Sequence, residues 1–149
     1  MIRITACLLF LLSVLDSNAQ PVIYINAGSR ASYGNYQDLT IYADGSCFYS
    51  LRETNGERKD SSSFQISKSQ LDSFFLKAEQ TGFFNLNARY DGGLADGAGI
   101  LISLNNGGRK HSVHLINTDV PAINELINWF NTLLDVHQPR IYYGQKQQP

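Results

Sequence analysis

The segment YDGGLADGAG, residues 90–99, comes nearest to a chemical motif in this sequence, because Asp91 and Asp96 place two carboxylates among glycines. Carboxylates and loop carbonyls are the oxygen ligands of calcium, but calcium takes about six to eight of them, and the alternating acidic loop is absent. A phosphate loop leads into a helix, whereas the apolar alternation after Gly99 predicts a strand. Asp91 and Asp96 are therefore candidate ligand-binding residues with no metal assigned. In the alternative interpretation, the glycines supply positive φ and the aspartates bond their own backbone in turns.

The histidines and nucleophiles form no recognisable catalytic set. His111 and His114 are three residues apart in a predicted strand, so they point to opposite faces and cannot hold one metal together. The sequence contains no H-E-x-x-H motif and no G-x-S-x-G elbow. We therefore assign no catalytic residue and no cofactor. Because catalytic groups are assembled in space, a hydrolase-type site that gathers Asp91, Asp96 and His111 stays open as an alternative.

Three tyrosines lie where a partner could reach them. Tyr33 and Tyr36 fall in a loop rich in Gly, Ser and Asn, and Tyr90 stands beside Asp91. Tyrosine is enriched at interfaces because it combines a large rigid ring with a polar tip, although it also suits plain strand surfaces. We add these tyrosines to the candidate ligand-binding residues. The function that follows is a small exported, non-catalytic binding module for an unknown protein or small molecule. A structural accessory subunit of an envelope assembly is the other alternative.

The N-terminus predicts export. Residues 1–19 carry an early Arg3, an apolar run and a small-residue step that ends at Ala19, which is typical of a cleaved signal peptide. That run is shorter than the roughly 20 residues of a membrane span, so we expect no membrane insertion. The protein should reach the periplasm or the extracellular space. A net charge of −1 does not favour nucleic acid as a partner.

Cleavage after Ala19 would also remove Cys7 and leave Cys47 as the single cysteine. No internal disulfide is then possible, so packing must stabilise the fold. Cys47 stands beside Phe48 in a predicted strand that should be at least half buried, where a thiol has a raised pKa and is unreactive. If Cys47 is exposed, dimerisation through it becomes possible. We otherwise expect a monomer or a weak oligomer.

Turn and cap residues divide the remaining sequence into elements. Residues 22–26 are rich in β-branched and aromatic residues and predict a strand. Two alternating runs flank Asp44-Gly45, which predicts a hairpin with a type I′ turn, and a third run ends at Ile66. Ser67 and Gln70 form a capping box, which predicts a helix that ends at Gly82.

A second hairpin and a second helix follow. The hairpin spans about residues 99–116, with its turn at Asn106-Gly107 or at Gly107-Gly108. The helix that follows should be capped by Thr118 or Asp119, with Pro121 in its first turn.

A hairpin followed by a helix thus occurs twice, at about residues 38–81 and 99–135. Each helix has one apolar face that must cover a sheet, which favours an antiparallel sheet with both helices on one face. The predicted fold is an α+β two-layer sandwich in a single domain, residues 20–137, followed by a polar tail, residues 138–149, that frays. The strand order cannot be read from the sequence.

Four segments together resemble an exported bacterial family, domain of unknown function 6438: LTIYADGSCFYS, ISKSQLDSFFLKAEQTGFFNL, LADGAGILISLNNGGRK and DVPAINELINWF. The resemblance covers about residues 23–134. It implies the fold, export and a bacterial source, and it matches Asp96 to a recurrent aspartate ahead of the second hairpin. The family has no assigned activity. Its cysteine pair and proline before the first hairpin are absent from residues 27–37, so a structural or redox role of that loop does not carry over.

Overall fold

A computed structural model describes residues 20–29, 34–53, 55–93 and 97–142. Within these residues the chain forms one seven-stranded sheet and two α-helices, which confirms the α+β class. A short 3-10 helix, Phe83–Asn85, follows the first α-helix. The elements in chain order are β1 (Ile23–Ser29), β2 (Asn35–Ile41), β3 (Ser46–Glu53), β4 (Arg58–Gln65), α1 (Lys68–Gln80), β5 (Arg89–Asp91), β6 (Ala98–Asn106), β7 (Arg109–Ile116) and α2 (Pro121–Leu133).

The strand order is β4-β3-β2-β1-β6-β7-β5. All neighbouring strands are antiparallel except β5 and β7, which are parallel. The N-terminal strand β1 lies in the middle, where Ile23 pairs with Ile41 of β2 on one side and with Leu104 of β6 on the other. The α1 helix follows the β2–β3–β4 meander, α2 follows the β6–β7 hairpin, and β1 and β5 lie outside both groups.

The two hairpin turns that the sequence predicted at Asp44-Gly45 and near Gly107 differ in type. Gly107 and Gly108 both have positive φ, 58° and 91°, in a two-residue loop, which is the type I′ geometry. The predicted type I′ turn at Asp44-Gly45 is wrong. Only Gly45 has positive φ, 81°, and the backbone bond from Tyr42 N to Ser46 O closes a three-residue loop. Asp44 instead accepts hydrogen bonds from the backbone N and the hydroxyl of Ser46.

The N-cap was predicted correctly for α1 but not for α2. Ser67 and Gln70 form the expected capping box, and Gln70 also donates to Leu133 O, which links α1 to the end of α2. For α2 the expected caps Thr118 and Asp119 are wrong, because the helix begins one residue later with Val120 as its N-cap. Pro121 then occupies the first helical position, where its missing N–H costs no hydrogen bond.

One face of the sheet carries the core. Alternate strand residues such as Ile25, Leu39 and Ile102 are fully buried, and they join Phe74 of α1 and Phe130 of α2 in one hydrophobic cluster. The Phe74 and Phe130 rings meet edge to face with centroids 5.4 Å apart. This contact joins the two helices within the core.

The first residues of the predicted C-terminal tail contact the rest of the structure. Ile141 is fully buried in the core cluster, and the Asn131 side chain holds it by donating to Ile141 O and accepting from Ile141 N. Gln37 of β2 likewise donates to Arg140 O and accepts from Tyr142 N. Ile141 and Tyr142 are thus hydrogen-bonded to α2 and β2. The remainder of the predicted tail and the predicted signal peptide lie outside the described residues.

Neither α-helix in the described ranges is long and apolar enough to cross a membrane.

Candidate functional site

The sheet positions that alternate with the core residues form a second face. The register places one row of residues, polar except for Leu101, across the whole sheet, and each residue lies directly opposite the next. From β4 to β5 this row reads Ser61, Ser50, Asp38, Asn26, Leu101, His114 and Arg89. A row of this kind brings together residues that are far apart in the sequence, because neighbouring strands are only about 5 Å apart.

Asp38 is the centre of a hydrogen-bonded group within this face, which we call the Asp38 cluster: Tyr24, Asn26, Asp38, Ser50 and Arg52. The Tyr24 hydroxyl donates to Asp38 Oδ1 at 3.0 Å, and Asn26 Nδ2 donates to the same oxygen at 2.8 Å. Arg52 Nε lies 3.8 Å from the other oxygen, Oδ2. Strands β1, β2 and β3 are adjacent, so all of these groups project from a rigid part of the sheet.

Ser50 anchors the other side of the cluster. It is the only buried polar residue in the described ranges, with 0% exposure, although it lies on the second face. Its hydroxyl oxygen accepts a long 3.5 Å hydrogen bond from Arg52 Nε. The Arg52 side chain is 43% exposed, so solvent screens its ion pair with Asp38. Arg52 thus remains accessible while two neighbours hold it in place.

The environment of Tyr24 fixes its protonation state. Burial raises the pKa of its phenol to about 12, and the hydrogen bond to Asp38 and the negative charge of Asp38 act in the same direction. The positive charge of Arg52 opposes them. At neutral pH Tyr24 is therefore a hydrogen-bond donor and not a phenolate, so it suits binding better than nucleophilic or base chemistry.

Tyr36 lies beside the cluster, near the N-terminal end of β2. It lies opposite Arg52 on β3 and opposite Gly28 on β1. A Cβ atom at Gly28 would come within 2.6 Å of Tyr36 Cδ1, so the glycine leaves room for the ring to lie across β1. Phe48 is 39% exposed on the same face, with the Arg58 guanidinium 6.0 Å from its ring centroid. Tyr36 is thus the predicted ligand-binding residue that lies beside the cluster.

Asp91 makes a hydrogen bond to the backbone of the turn that follows β5. Its Oδ1 accepts from Gly93 N at 3.0 Å, its Oδ2 accepts from Arg89 at 2.8 Å, and Gly93 has the positive φ of 80° that favours glycine. Two of the other predicted site residues, Asp96 and Tyr33, lie outside the described residues.

The glycines around Asp91 also make room for Asn117. This residue has an unusual left-handed backbone, with φ 50°. A Cβ atom at Gly97 would overlap the Asn117 side-chain amide, and one at Gly92 would overlap its backbone carbonyl. The glycines at 92 and 97 are therefore explained by close packing.

Tyr90 and His111 have structural contacts. Tyr90 packs against the core, and its hydroxyl accepts from Asn87 N at 3.0 Å. His111 Nε2 lies 3.0 Å from Leu86 O, and its ring meets Phe83 edge to face. His111 is on the core-facing side of β7, five positions, or about 17 Å, from the residue that pairs with Asp91. The structure therefore does not bring Asp91 and His111 together.

Cys47 is buried at 3% exposure, as the sequence predicted. Its Sγ lies 3.3 Å from Gly45 O, and burial raises its pKa to about 11. The thiol is therefore protonated at neutral pH. In the described ranges, no three His, Cys, Asp or Glu residues are grouped so that they could hold a metal ion.

Sequence reasoning missed the Asp38 cluster because its five members are ordinary polar positions in three separate strands. The sequence did contain one indication, because all five alternate with the apolar core residues of their strands. Their convergence needed the order of β1, β2 and β3, which the sequence does not give.

A family model described as a domain of unknown function (DUF6438) matches residues 29–135. No curated protein matches the chain.

Proposed function

We propose that this chain, which belongs to the DUF6438 family, is an exported bacterial protein that binds another protein through the second face of its sheet and catalyses no reaction. The observation that carries the proposal is the Asp38 cluster. Its donors and acceptor are held by one another before any partner arrives, which lowers the entropy cost of binding.

The residue types of the second face suit a protein partner. Tyrosine and arginine dominate the residues whose loss weakens interfaces most, and Tyr24, Tyr36 and Arg52 lie together around Asp38. A sheet face is broad and open, whereas small-molecule sites are concave.

The proposal includes the two-layer arrangement, with both helices on the core side and the second face free for a partner. The buried residues of α1 and α2 belong to the same hydrophobic cluster as the core-facing strand residues, which supports it. The second face has no comparable apolar cluster among the described residues. A surface that is preorganised and that the described part of the chain leaves open is suited to an intermolecular contact.

The test is site-specific photo-cross-linking in cells that make the protein naturally. A benzophenone amino acid placed at Phe48 should give a discrete cross-linked protein, and Arg52→Ala or Asp38→Ala should abolish that product. The matched control places the same group at Leu76, which is 60% exposed on α1 and outside the second face. Equal products from both positions, or a Phe48 product insensitive to both substitutions, would refute the proposal. Substrate turnover by the purified protein that Asp38→Ala abolishes would instead support an enzyme.

A further inference from the structure

A groove lies on the outer side of the helix pair, away from the sheet. Its volume is about 570 Å³, and one residue of α1 and six of α2 line it. These residues are Lys77, Pro121, Asn124, Glu125, Asn128, Trp129 and Thr132. The six from α2 follow each other at alternating spacings of three residues and one residue, so they share one helical face. The buried residues of α2, such as Ile123 and Phe130, lie on the other face.

Trp129 forms the apolar part of the groove and is 40% exposed. Burial of a large aromatic ring is strongly favourable, so an indole left half in solvent retains binding energy for a ligand. The Lys77 ammonium lies 5.6 Å from its ring centroid, close enough for a cation–π contact that fixes the ring. Trp129 is therefore an exposed but oriented flat surface.

The charges of the groove cancel. Lys77 forms an ion pair with Glu125 across the two helices, and among the described residues these are the only charged side chains that line the groove. The remaining polar groups are the amides of Asn124 and Asn128 and the hydroxyl of Thr132. Amides and hydroxyls both donate and accept hydrogen bonds without favouring an ionic ligand. A neutral polar lining of this kind suits a neutral ligand better than an ionic one.

We propose that this groove binds a neutral saccharide. A pyranose ring has one face of C–H groups, which packs flat on the Trp129 indole, and a rim of hydroxyls, which both donate and accept as Asn124 and Asn128 do. An ionic ligand would find no net countercharge here. A purely apolar ligand would leave both amides buried without partners, which is costly. The groove is separate from the Asp38 cluster, so this site is independent of the proposed protein-binding face.

Trp129 is the only tryptophan in the sequence, so fluorescence excited where tyrosine does not absorb reports on this groove alone. The purified protein is titrated with cellobiose, maltose and N,N′-diacetylchitobiose, with glucuronate as a charged control. At least one neutral disaccharide should change the fluorescence saturably. Asn128→Ala should weaken its binding about tenfold, the equivalent of one good hydrogen bond.

Two further variants make the result specific. Trp129→Phe, followed by calorimetry because the fluorophore is lost, should weaken binding similarly. Asn85→Ala, an exposed asparagine outside the groove, should leave binding unchanged. No saturable signal with any of the three disaccharides would overturn the proposal, as would a response to glucuronate alone or equal losses in Asn128→Ala and Asn85→Ala. Arg52→Ala tests the protein-binding face separately, because it should not affect saccharide binding.

Discussion

Gly97→Ala is expected to destabilise the fold because Asn117 already occupies the space of the new methyl group. An ideal Cβ at residue 97 would lie much closer than 3.0 Å to the Asn117 amide atoms. Real Cβ atoms essentially never make contacts shorter than 3.0 Å. The Asn117 side chain must therefore leave its position. Overpacking of this kind costs about 1–3 kcal/mol, which lowers Tm by roughly 4–12 °C in a domain of this size.

Substitutions at two neighbouring glycines and at Asn117 test whether the Asn117 side chain causes the loss of stability in Gly97→Ala. Gly99→Ala should cost much less, because the nearest atom to its Cβ is Leu115 O at 3.3 Å. Asn117→Gly removes the side chain that blocks residue 97, so Gly97→Ala should become nearly neutral in that background. Gly92→Ala meets the backbone carbonyl of Asn117 instead, so its cost should persist in the same background.

The assay is thermal and urea unfolding of the single and double variants, with coupling energies taken from the two cycles. A substantial coupling is expected for the pair 97 and 117 and a small one for the pair 92 and 117. If Gly97→Ala is neutral, or costs the same with and without the Asn117 side chain, this explanation of the glycines is wrong.

Three further predictions concern the cluster, the core and the thiol. The pKa of Tyr24 is about 12 in the folded protein, against 10.0 in the unfolded chain. Its contribution to stability is therefore present below pH 10 and is lost as the pH rises through 12. Urea unfolding near these two pH values should therefore show a smaller alkaline loss in Tyr24→Phe than in the parent protein. Phe74→Ala should cost about 3–5 kcal/mol in urea unfolding, while Leu76→Ala on the exposed side of α1 should cost within about 0.5 kcal/mol. At neutral pH, Cys47 should react with a thiol reagent far more slowly in folded than in urea-unfolded protein, since it is buried and its pKa is about 11.

Local signals predicted local structure well. The capping box at Ser67 and Gln70 and the buried face of α1 need only residues a few positions apart, and both were predicted correctly. The turn at Gly45 was assigned the wrong type, because Asp-Gly also suits a three-residue loop in which only the glycine has positive φ. The start of α2 was misplaced since Thr118 and Asp119 both resemble caps, although Pro121 fixes the first turn.

Non-local features could not be predicted in the same way. β5 has only three residues and pairs in parallel with β7, so no periodicity marks it. Ile141 follows a polar run, and its burial depends on hydrogen bonds to Asn131 that sequence patterns do not show. The candidate site has the same limit, because the partners of Asp38 become its neighbours only through the order of three strands.

The central place of β1 bears on how copies of this protein can associate. Its pairing with β6 joins residues about 70–80 positions apart, and long-range pairing of this kind is slow to form. Whenever β1 is displaced, β2 and β6 present facing rows of unpaired amide and carbonyl groups. The segment that fits this gap in the native register is β1 of an identical chain. Displacement of β1 would therefore open this sheet to strand exchange between molecules, and the pairing of β1 on both sides protects against it.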